Sequence, residues 1–231
     1  YLFNNGCVVF MKKVKLQITS KDRVTDFAEV LTSQEIVTEM LDLVKLEAER
    51  IDSRFLEPAC GTGNFLIDVL KRKLLLVFSR YSKSQIEYER YALLALSSIY
   101  GIDILQDNVE ECRHRLFDLF NASYTQLYSK TANGAYREAA RYILKRNIIH
   151  GDALSLKTVF PEPQPIVFSE WSFTSGSMLK RRDFAFHELL DHSSMRDLPL
   201  FSDQGEEIFI PEPIKEFPQV HYLEVAHAYS E

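Results

Sequence analysis

Two glycines and an acid in one short stretch have the types and spacing expected of a ligand-binding loop. In the segment from Phe55 to Leu66, an apolar run ends at Glu57, Pro58 interrupts regular pairing, and Gly61 and Gly63 frame a turn. Glycine lacks a Cβ, so the backbone of such a loop can approach a ligand closely. The stretch therefore predicts a strand, a tight loop and a helix that follows it.

Two further acids also follow apolar runs. Asp103 ends the run that starts at Ile99, and Asp152 follows the run that starts at Asn147. In doubly wound α/β sheets, ligands bind at the carboxyl ends of the strands, and a carboxylate there can accept hydrogen bonds from adjacent hydroxyl groups. Each acid alone is equally well explained as a solvated strand end or a helix cap. The order and spacing of the whole set favour a binding site.

The elements that would position these residues can be predicted from periodicity and capping. Thr32 to Glu35 forms a capping box, and apolar residues then recur at helical spacing to predict a helix over 33–50. Further helices are predicted near 64–78, 84–98, 108–120 and 135–146, with strands near 99–104 and 147–154. Strands that alternate with helices indicate a parallel α/β sheet covered on both faces. A fourth strand is predicted at 165–169, followed by turns and short strands.

Composition limits the function classes. A chain of 231 residues with 46% hydrophobic residues can bury a sizeable core, and its net charge of −6 provides no global basic field for nucleic acid. Three cysteines without a Cys-x-x-Cys motif suit a reducing cytoplasm, and the histidines form no metal-spaced pair, so we expect no metal. The apolar N-terminal stretch is too short to span a membrane. We expect residues 1–10 to be an extension without fixed structure that precedes a natural start at Met11.

The glycine segment resembles a known motif. Residues 57–65 read Glu-Pro-Ala-Cys-Gly-Thr-Gly-Asn-Phe, which is similar to the cofactor loop of S-adenosylmethionine-dependent N6-adenine DNA methyltransferases of restriction-modification systems. The third glycine of a dinucleotide-binding loop and the Lys-Ser/Thr ending of a P-loop are both missing. The resemblance covers about residues 30–172. It implies a Rossmann-like class I methyltransferase fold, a mostly parallel sheet with helices on both faces, followed by an irregular C-terminal extension.

The resemblance also implies roles for particular residues. Gly101-Ile102-Asp103 matches the family segment whose acid binds the ribose, and Gly151 to Leu154 matches the segment whose acid accepts from the adenine amino group. Thr32 matches a residue that contacts the methionine end, with serine following where proline is usual. The implied cofactor-binding residues are Thr32, Glu57, Pro58, Ala59, Cys60, Gly61, Thr62, Gly63, Asn64, Phe65, Asp103, Ile104, Asp152, Ala153 and Leu154, with Ile104 and Leu154 as apolar walls of the adenine site.

The catalytic motif of that family is missing from these 231 residues. Its Asp/Asn-Pro-Pro-aromatic strip holds the amino group of a flipped adenine and stacks on the base, but the corresponding position here reads Ser-Glu-Trp-Ser. Glu170 is the candidate acceptor for the amine and Trp171 the candidate stacking ring. The alternative is that Trp171 fills the core and that Glu170 has no catalytic role.

A DNA contact is predicted at the basic cluster Lys180, Arg181 and Arg182, which two phenylalanines follow; Lys71 to Lys73 is a second basic run. Three adjacent charges are also typical of a solvated face. We expect residues 11–172 to form the cofactor-binding domain and residues 173–231 an extension packed on it. The resemblance implies a cytoplasmic DNA adenine-N6 methyltransferase, acting alone or with a specificity or catalytic partner subunit. The alternative is a catalytically silent module that binds S-adenosylmethionine and acts with such a partner.

Overall fold

The computed structural model describes residues 34–191 and 212–229. In chain order the elements are α1 (Gln34–Leu43), α2 (Lys45–Ala48), β1 (Phe55–Glu57), α3 (Asn64–Tyr81), α4 (Gln85–Ser97), β2 (Ile99–Asp103), α5 (Gln106–Tyr128), α6 (Gly134–Asn147), β3 (Ile148–Asp152), β4 (Lys157–Thr158), β5 (Val167–Phe173), β6 (Met178–Ala185), α7 (Phe186–Asp191), β7 (Lys215–Glu216), β8 (Val220–His221), a 3-10 turn (Tyr222–Glu224) and α8 (Val225–Ala228).

The first sheet has the strand order β1-β2-β3-β4. β1, β2 and β3 are parallel, and the short β4 pairs antiparallel with β3. All five residues of β2 are buried, as expected for the central strand of a parallel sheet covered on both faces. The predicted α/β class and the mostly parallel sheet are therefore confirmed.

Two of the long helices begin at residues whose side chains cap them. The side chain of Ser84 accepts from the backbone of Glu87 to start α4, and Asn133 accepts from Ala135 to start α6. The predicted helices after residue 64 are confirmed, and α5 is longer than predicted at both ends. The helix predicted over 33–50 is instead two helices that break at Val44. Thr32 and residues 1–10 lie outside the described residues.

Side chains of β2 alternate between two different environments. An added Cβ at Gly101 would lie 3.0 Å from both the Cys60 sulfur and a Leu66 methyl group, so this face packs closely against the glycine loop and α3. On the opposite face, Tyr100 and Ile102 join a buried cluster with Ile166, Phe168 and Phe186. The expected helical cover on both faces is therefore wrong in part. The cover of the second face is the β5 segment and α7.

The second sheet is antiparallel and is built on the hairpin of β5 and β6, with β7 and β8 beside β6. The strand predicted at 165–169 exists, but it pairs with β6 and takes no place in the parallel sheet. The boundary expected at residue 172 falls inside this hairpin, and the extension expected to be irregular contains the regular eight-residue strand β6. Among the described residues, no helix is both long enough and apolar enough to cross a membrane.

Candidate functional site

The three predicted acids lie on one face of the parallel sheet. Register pairs Glu57 with Gly101, and Asp103 with His150. Since side chains two residues apart share a face, Glu57, Asp103 and Asp152 all project on the Gly101 side. Each acid lies two residues further along its strand than the previous one, which is a step of about 7 Å. The carboxylates thus form a diagonal row at the carboxyl ends of the strands.

The loop between β1 and α3 turns sharply beside the middle acid of this row. Gly61 and Gly63 have positive φ angles of 50° and 85°, which residues other than glycine rarely adopt. The backbone N–H of Cys60 donates to the Ile102 carbonyl at 2.9 Å, and the N–H of Gly63 donates to the Cys60 carbonyl at 2.8 Å. These two bonds keep the loop attached to β2 and close the turn that starts α3.

Asp103 holds the loop through its carboxylate. Its Oδ2 accepts from the Gly61 N–H at 2.8 Å, and its Oδ1 accepts from the Leu105 N–H at 2.9 Å and from the Asn108 amide at 3.2 Å. Two carboxylate oxygens offer about four lone-pair positions, so one remains for a ligand. The predicted bidentate binding of two ribose hydroxyls would therefore require the release of one of these three bonds.

Arg115 of α5 supports the outer half of the loop. One of its terminal nitrogens donates to the Thr62 carbonyl at 2.5 Å, to the Thr62 hydroxyl at 3.0 Å and to the Asn64 side-chain oxygen at 3.0 Å. Partial burial lowers the pKa of Arg115 from its ordinary value, but an arginine stays charged in proteins. The loop therefore carries a fixed positive charge on its α5 side.

Two free thiols pack beneath the loop. Cys60 and Cys112 are both buried, and a Cβ added to Gly63 would come within 2.6 Å of the Cys112 sulfur. The hydrogen bond to Cys112, followed by burial, raises the pKa of the Cys60 thiol far above its ordinary value. Cys60, which the resemblance places among the cofactor-binding residues, is therefore a neutral packing residue whose side chain faces the core.

Asp152 and Leu154 form the exposed end of the diagonal row. The carboxylate of Asp152 accepts from the backbone N–H groups of Leu154 at 2.9 Å and Ser155 at 3.3 Å, which lowers its pKa and keeps it charged. The Leu154 side chain is 96% exposed, and that of Ile104 is 45% exposed. Two apolar side chains, one after β2 and one after β3, are thus exposed to solvent, and Leu154 lies next to the charged Asp152. Ala153 instead packs against the second core cluster.

Glu57 lies at the start of the row and is more buried than Asp152 at its end. Burial raises the pKa of its carboxyl group, and the opposing effect of the Ala59 N–H is smaller. Pro58 and Ala59 are exposed at the top of the loop, whereas Phe65 packs against the Phe55 ring with centroids 6.3 Å apart. The predicted loop residues are therefore together, but Phe65 faces the protein.

The candidate catalytic pair is not arranged for catalysis on one base. Trp171 is 5% exposed, and its indole N–H donates to the side-chain oxygen of Asn147 at 3.0 Å. Glu170 points to the other face of β5 and forms ion pairs with Arg54 and Arg182. Arg54 immediately precedes β1, at the opposite end of that strand from the glycine loop. Trp171 is thus a core residue, and Glu170 is a paired acid away from the acidic row.

The predicted DNA-binding cluster is likewise divided by the alternation of β6. Arg181 is fully buried and bonds Asp183 through two nitrogens, at 2.8 and 2.6 Å. Lys180 pairs with Glu216 at 2.7 Å, and Arg182 pairs with Glu170 at 2.5 Å. In this conformation each charge is already neutralised by an acid. In the second basic run, Lys73 is buried as well.

Sequence reasoning missed three residues that hold the loop. Asn108, Cys112 and Arg115 contact Asp103, Gly63 and Thr62, respectively. They are four and three residues apart, so they lie on one face of α5, and this spacing directly after Asp103 was an available signal. No group of three or more His, Cys, Asp or Glu side chains within 34–191 and 212–229 is placed to hold a metal ion.

Comparison of the chain with protein-family models, curated proteins and solved structures finds no match.

Proposed function

We propose that this chain is an S-adenosylmethionine-binding protein of the N6-adenine DNA methyltransferase type, with a Rossmann-like class I methyltransferase fold. The observation that carries the proposal is the glycine loop bonded to Asp103 at the carboxyl ends of the parallel strands. That arrangement places two glycines beside Asp103, which shares one face of the sheet with Glu57 and Asp152. The nine-residue resemblance of the loop supports the assignment of the cofactor.

The residues present fit the chemical groups of this cofactor. Asp103 has one lone pair left for a ribose hydroxyl, and Asp152 is a charged acceptor suited to an amino group. Ile104 and Leu154 offer exposed apolar surface on which an adenine ring can pack. Burial raises the pKa of Glu57. A positive charge bound beside it would lower that pKa and favour the ionised carboxylate.

When bound, S-adenosylmethionine supplies a methyl group activated by a positively charged sulfur. The described residues would hold this group at the glycine loop and keep its charge close to Glu57. Because the amine of adenine is a poor nucleophile, transfer also needs an acceptor for its hydrogens and a ring to stack on the flipped base. We infer that in a restriction-modification system these groups come from a partner subunit or from a part of the protein outside the described residues.

Calorimetry with dialysed protein and S-adenosylmethionine tests the cofactor site. Leu154→Asp is the sharpest variant, because a side chain that is 96% exposed contributes little to folding. We expect this variant to bind the cofactor at least about tenfold more weakly, since a charge replaces the apolar wall of the site. Ile86→Asp, at a 61% exposed isoleucine of α4, is the matched control and should bind normally.

An absence of binding by the wild-type protein would overturn the proposal. Equal binding by wild type and Leu154→Asp would contradict the adenine site that we propose at the end of β3. Direct contact with the ligand can be separated from damage to the fold by measuring the melting temperature of both variants, which should stay within a few degrees of wild type.

A catalytically silent module is the second candidate, and the burial of Trp171 favours it. An indole that bonds Asn147 inside the core is not available to stack on a base. We expect the isolated chain to bind the cofactor and transfer no methyl group to unmethylated DNA. Labelled methyl groups on adenine after incubation with the purified chain alone would exclude this candidate.

A further inference from the structure

A groove between α5 and α6 collects positive charge on a protein whose net charge is negative. Its volume is about 300 Å³, and the chain as a whole carries −6. The residues that line it are Arg113, His114, Phe117, Asp118, Arg141, Leu144 and Lys145. Neither the glycine loop nor the acidic row contributes to it.

Arginines that line this groove, and Arg137 next to it on α6, are oriented by neutral groups. The guanidinium of Arg141 lies over the Phe117 ring at 3.7 Å. Arg113 donates to the carbonyl of Ile148 at 3.0 Å and to that of Lys145 at 3.1 Å. Arg137, one turn before Arg141, donates to the side chains of Asn121 and Thr125 at 2.6 and 3.1 Å. These contacts fix the positions of the side chains and leave their charges uncompensated.

The nearby acids offset only part of this charge. Asp118 pairs with His114 at 3.2 Å, and Glu138 of α6 pairs with His227 at 3.3 Å. Among the lining residues, Asp118 is one carboxylate against the cations of Arg113, Arg141 and Lys145. Glu110 accepts from the Gln106 amide at 2.9 Å and acts on Arg113 through space. Within the part of the chain that the structure describes, Arg137, Arg141 and Lys145 form no ion pair with a carboxylate. The groove therefore keeps an excess of positive charge.

The spacing of these cations is regular. Arg137, Arg141 and Lys145 are four residues apart on one helix, so they form a row along one face with steps of about 6 Å. A row of regularly spaced cations suits a ligand that repeats its negative charge along its length. Arginine also presents a planar fork of donors that matches the oxygens of a phosphate group.

We propose that this groove binds the sugar-phosphate backbone of a nucleic acid. The row on α6 contacts successive phosphates, and the Phe117 ring positions the guanidinium of Arg141. Contacts of this kind position a nucleic acid without reading its sequence. The inference depends on the charges of α5 and α6 and stands independently of the cofactor site.

Fluorescence anisotropy with a labelled DNA duplex of about 20 base pairs, measured over a range of salt concentrations without cofactor, tests this inference. The test variant is R141Q/K145Q, whose two side chains are exposed and whose loss should leave the fold intact. We expect roughly tenfold weaker binding or more at low salt. The slope of log K against log salt should fall by about 1.8, because two phosphate contacts are removed.

The matched control is K180Q/R182Q, which removes two cations that are already paired with Glu216 and Glu170. It should bind the duplex as the wild type does. The inference is overturned if the wild type does not bind, if R141Q/K145Q binds normally, or if the control loses as much affinity. Competition by poly-glutamate that equals competition by unlabelled duplex would also overturn it, since it would identify an acidic protein surface as the ligand. Binding of S-adenosylmethionine is measured separately, so neither result decides the other.

Discussion

Two fully buried cations, one on a helix that packs on the parallel sheet and one in the antiparallel sheet, are stabilised by different kinds of partner. Lys73 of α3, beneath the parallel sheet, donates to three neutral oxygens: the carbonyls of Ile51 and Ser53 and the hydroxyl of Ser98. Arg181, in the antiparallel sheet, bonds the carboxylate of Asp183 through two nitrogens and lies over the Phe217 ring at 4.1 Å. The buried cation next to the parallel sheet is therefore bound by neutral oxygens, whereas the buried cation of the hairpin is bound by a carboxylate.

This difference explains why the two regions differ in what they can bind. Charges of the hairpin satisfy one another, so Lys180, Arg182 and Glu170 are occupied within the protein. Asp103 and Asp152 of the parallel sheet accept from backbone N–H groups of neighbouring loops, so their charges are fixed in position but not cancelled. A charged motif can act on a ligand only in the second case.

The largest change in the free energy of unfolding is expected at Arg181. Arg181→Ala leaves the carboxylate of Asp183 buried without its cation, which costs roughly 3–5 kcal/mol of the free energy of unfolding. Chemical denaturation measures this loss. The adjacent Lys180→Ala is the control, because its ion pair is partly exposed, and we expect it to cost less than about 1 kcal/mol. Equal losses in the two variants would contradict the contrast between buried and exposed pairs.

The next effect is expected in the glycine loop. Gly63→Ala combines a positive φ of 85° with a contact of 2.6 Å to the Cys112 sulfur, so we expect a loss of roughly 2–4 kcal/mol of unfolding free energy. Gly134→Ala is the matched control. Its added Cβ meets no atom within 4 Å, and alanine favours a helix, so stability should stay constant or rise by up to about 1 kcal/mol. Comparable losses at both glycines would show that the loop is not constrained as described.

The smallest effect is the pH dependence contributed by Lys73. Burial lowers the pKa of Lys73 to about 7, whereas a lysine in the unfolded chain has a pKa of about 10.4. Between these values the unfolded state binds more protons, so this group makes stability rise with pH above 7, by at most about 1.4 kcal/mol per pH unit.

Lys73→Met removes this contribution, and the comparison with wild type is best made between pH 7 and 8.5, below the ordinary pKa of tyrosine. We expect the stability of wild type, relative to the variant, to increase over that interval in chemical denaturation experiments. If the difference in stability between wild type and variant stays constant over this interval, the neutral oxygens around Lys73 keep it fully protonated.

Most of the first sheet could be predicted from local pattern. The helices after residue 64 follow from the local residue pattern, and β2 from an unbroken apolar run, because these signals act over a few residues. The same applies to the glycine loop, whose conformation depends on Gly61 and Gly63 themselves. The break at Val44 was missed, since an apolar stripe does not indicate where a helix will bend.

The hairpin could not be predicted in its actual place. The strand pattern at 165–169 does not specify its partner. The pairing with β6 depends on contacts between sheets, such as the Tyr100 hydroxyl that donates to the Ser169 carbonyl at 3.0 Å. The role of Trp171 depended on that pairing. The three basic residues from Lys180 appeared as one cluster in sequence, but alternation along a strand sends neighbours to opposite faces.

Local sequence therefore specified the strands and helices of the α/β class, the glycine turn and the place of each acid at the end of its own strand, because these features depend on residues that are close along the chain. The alignment of the acids in one row also needs the register of β1, β2 and β3, which are far apart in sequence. The tertiary structure alone decided which charges are available to a ligand. Asp103 became the support of its own loop, Arg181 entered the core, and the cations of α5 and α6 came together on neutral partners. Partners in space, which local sequence does not specify, set the charge that each side chain presents.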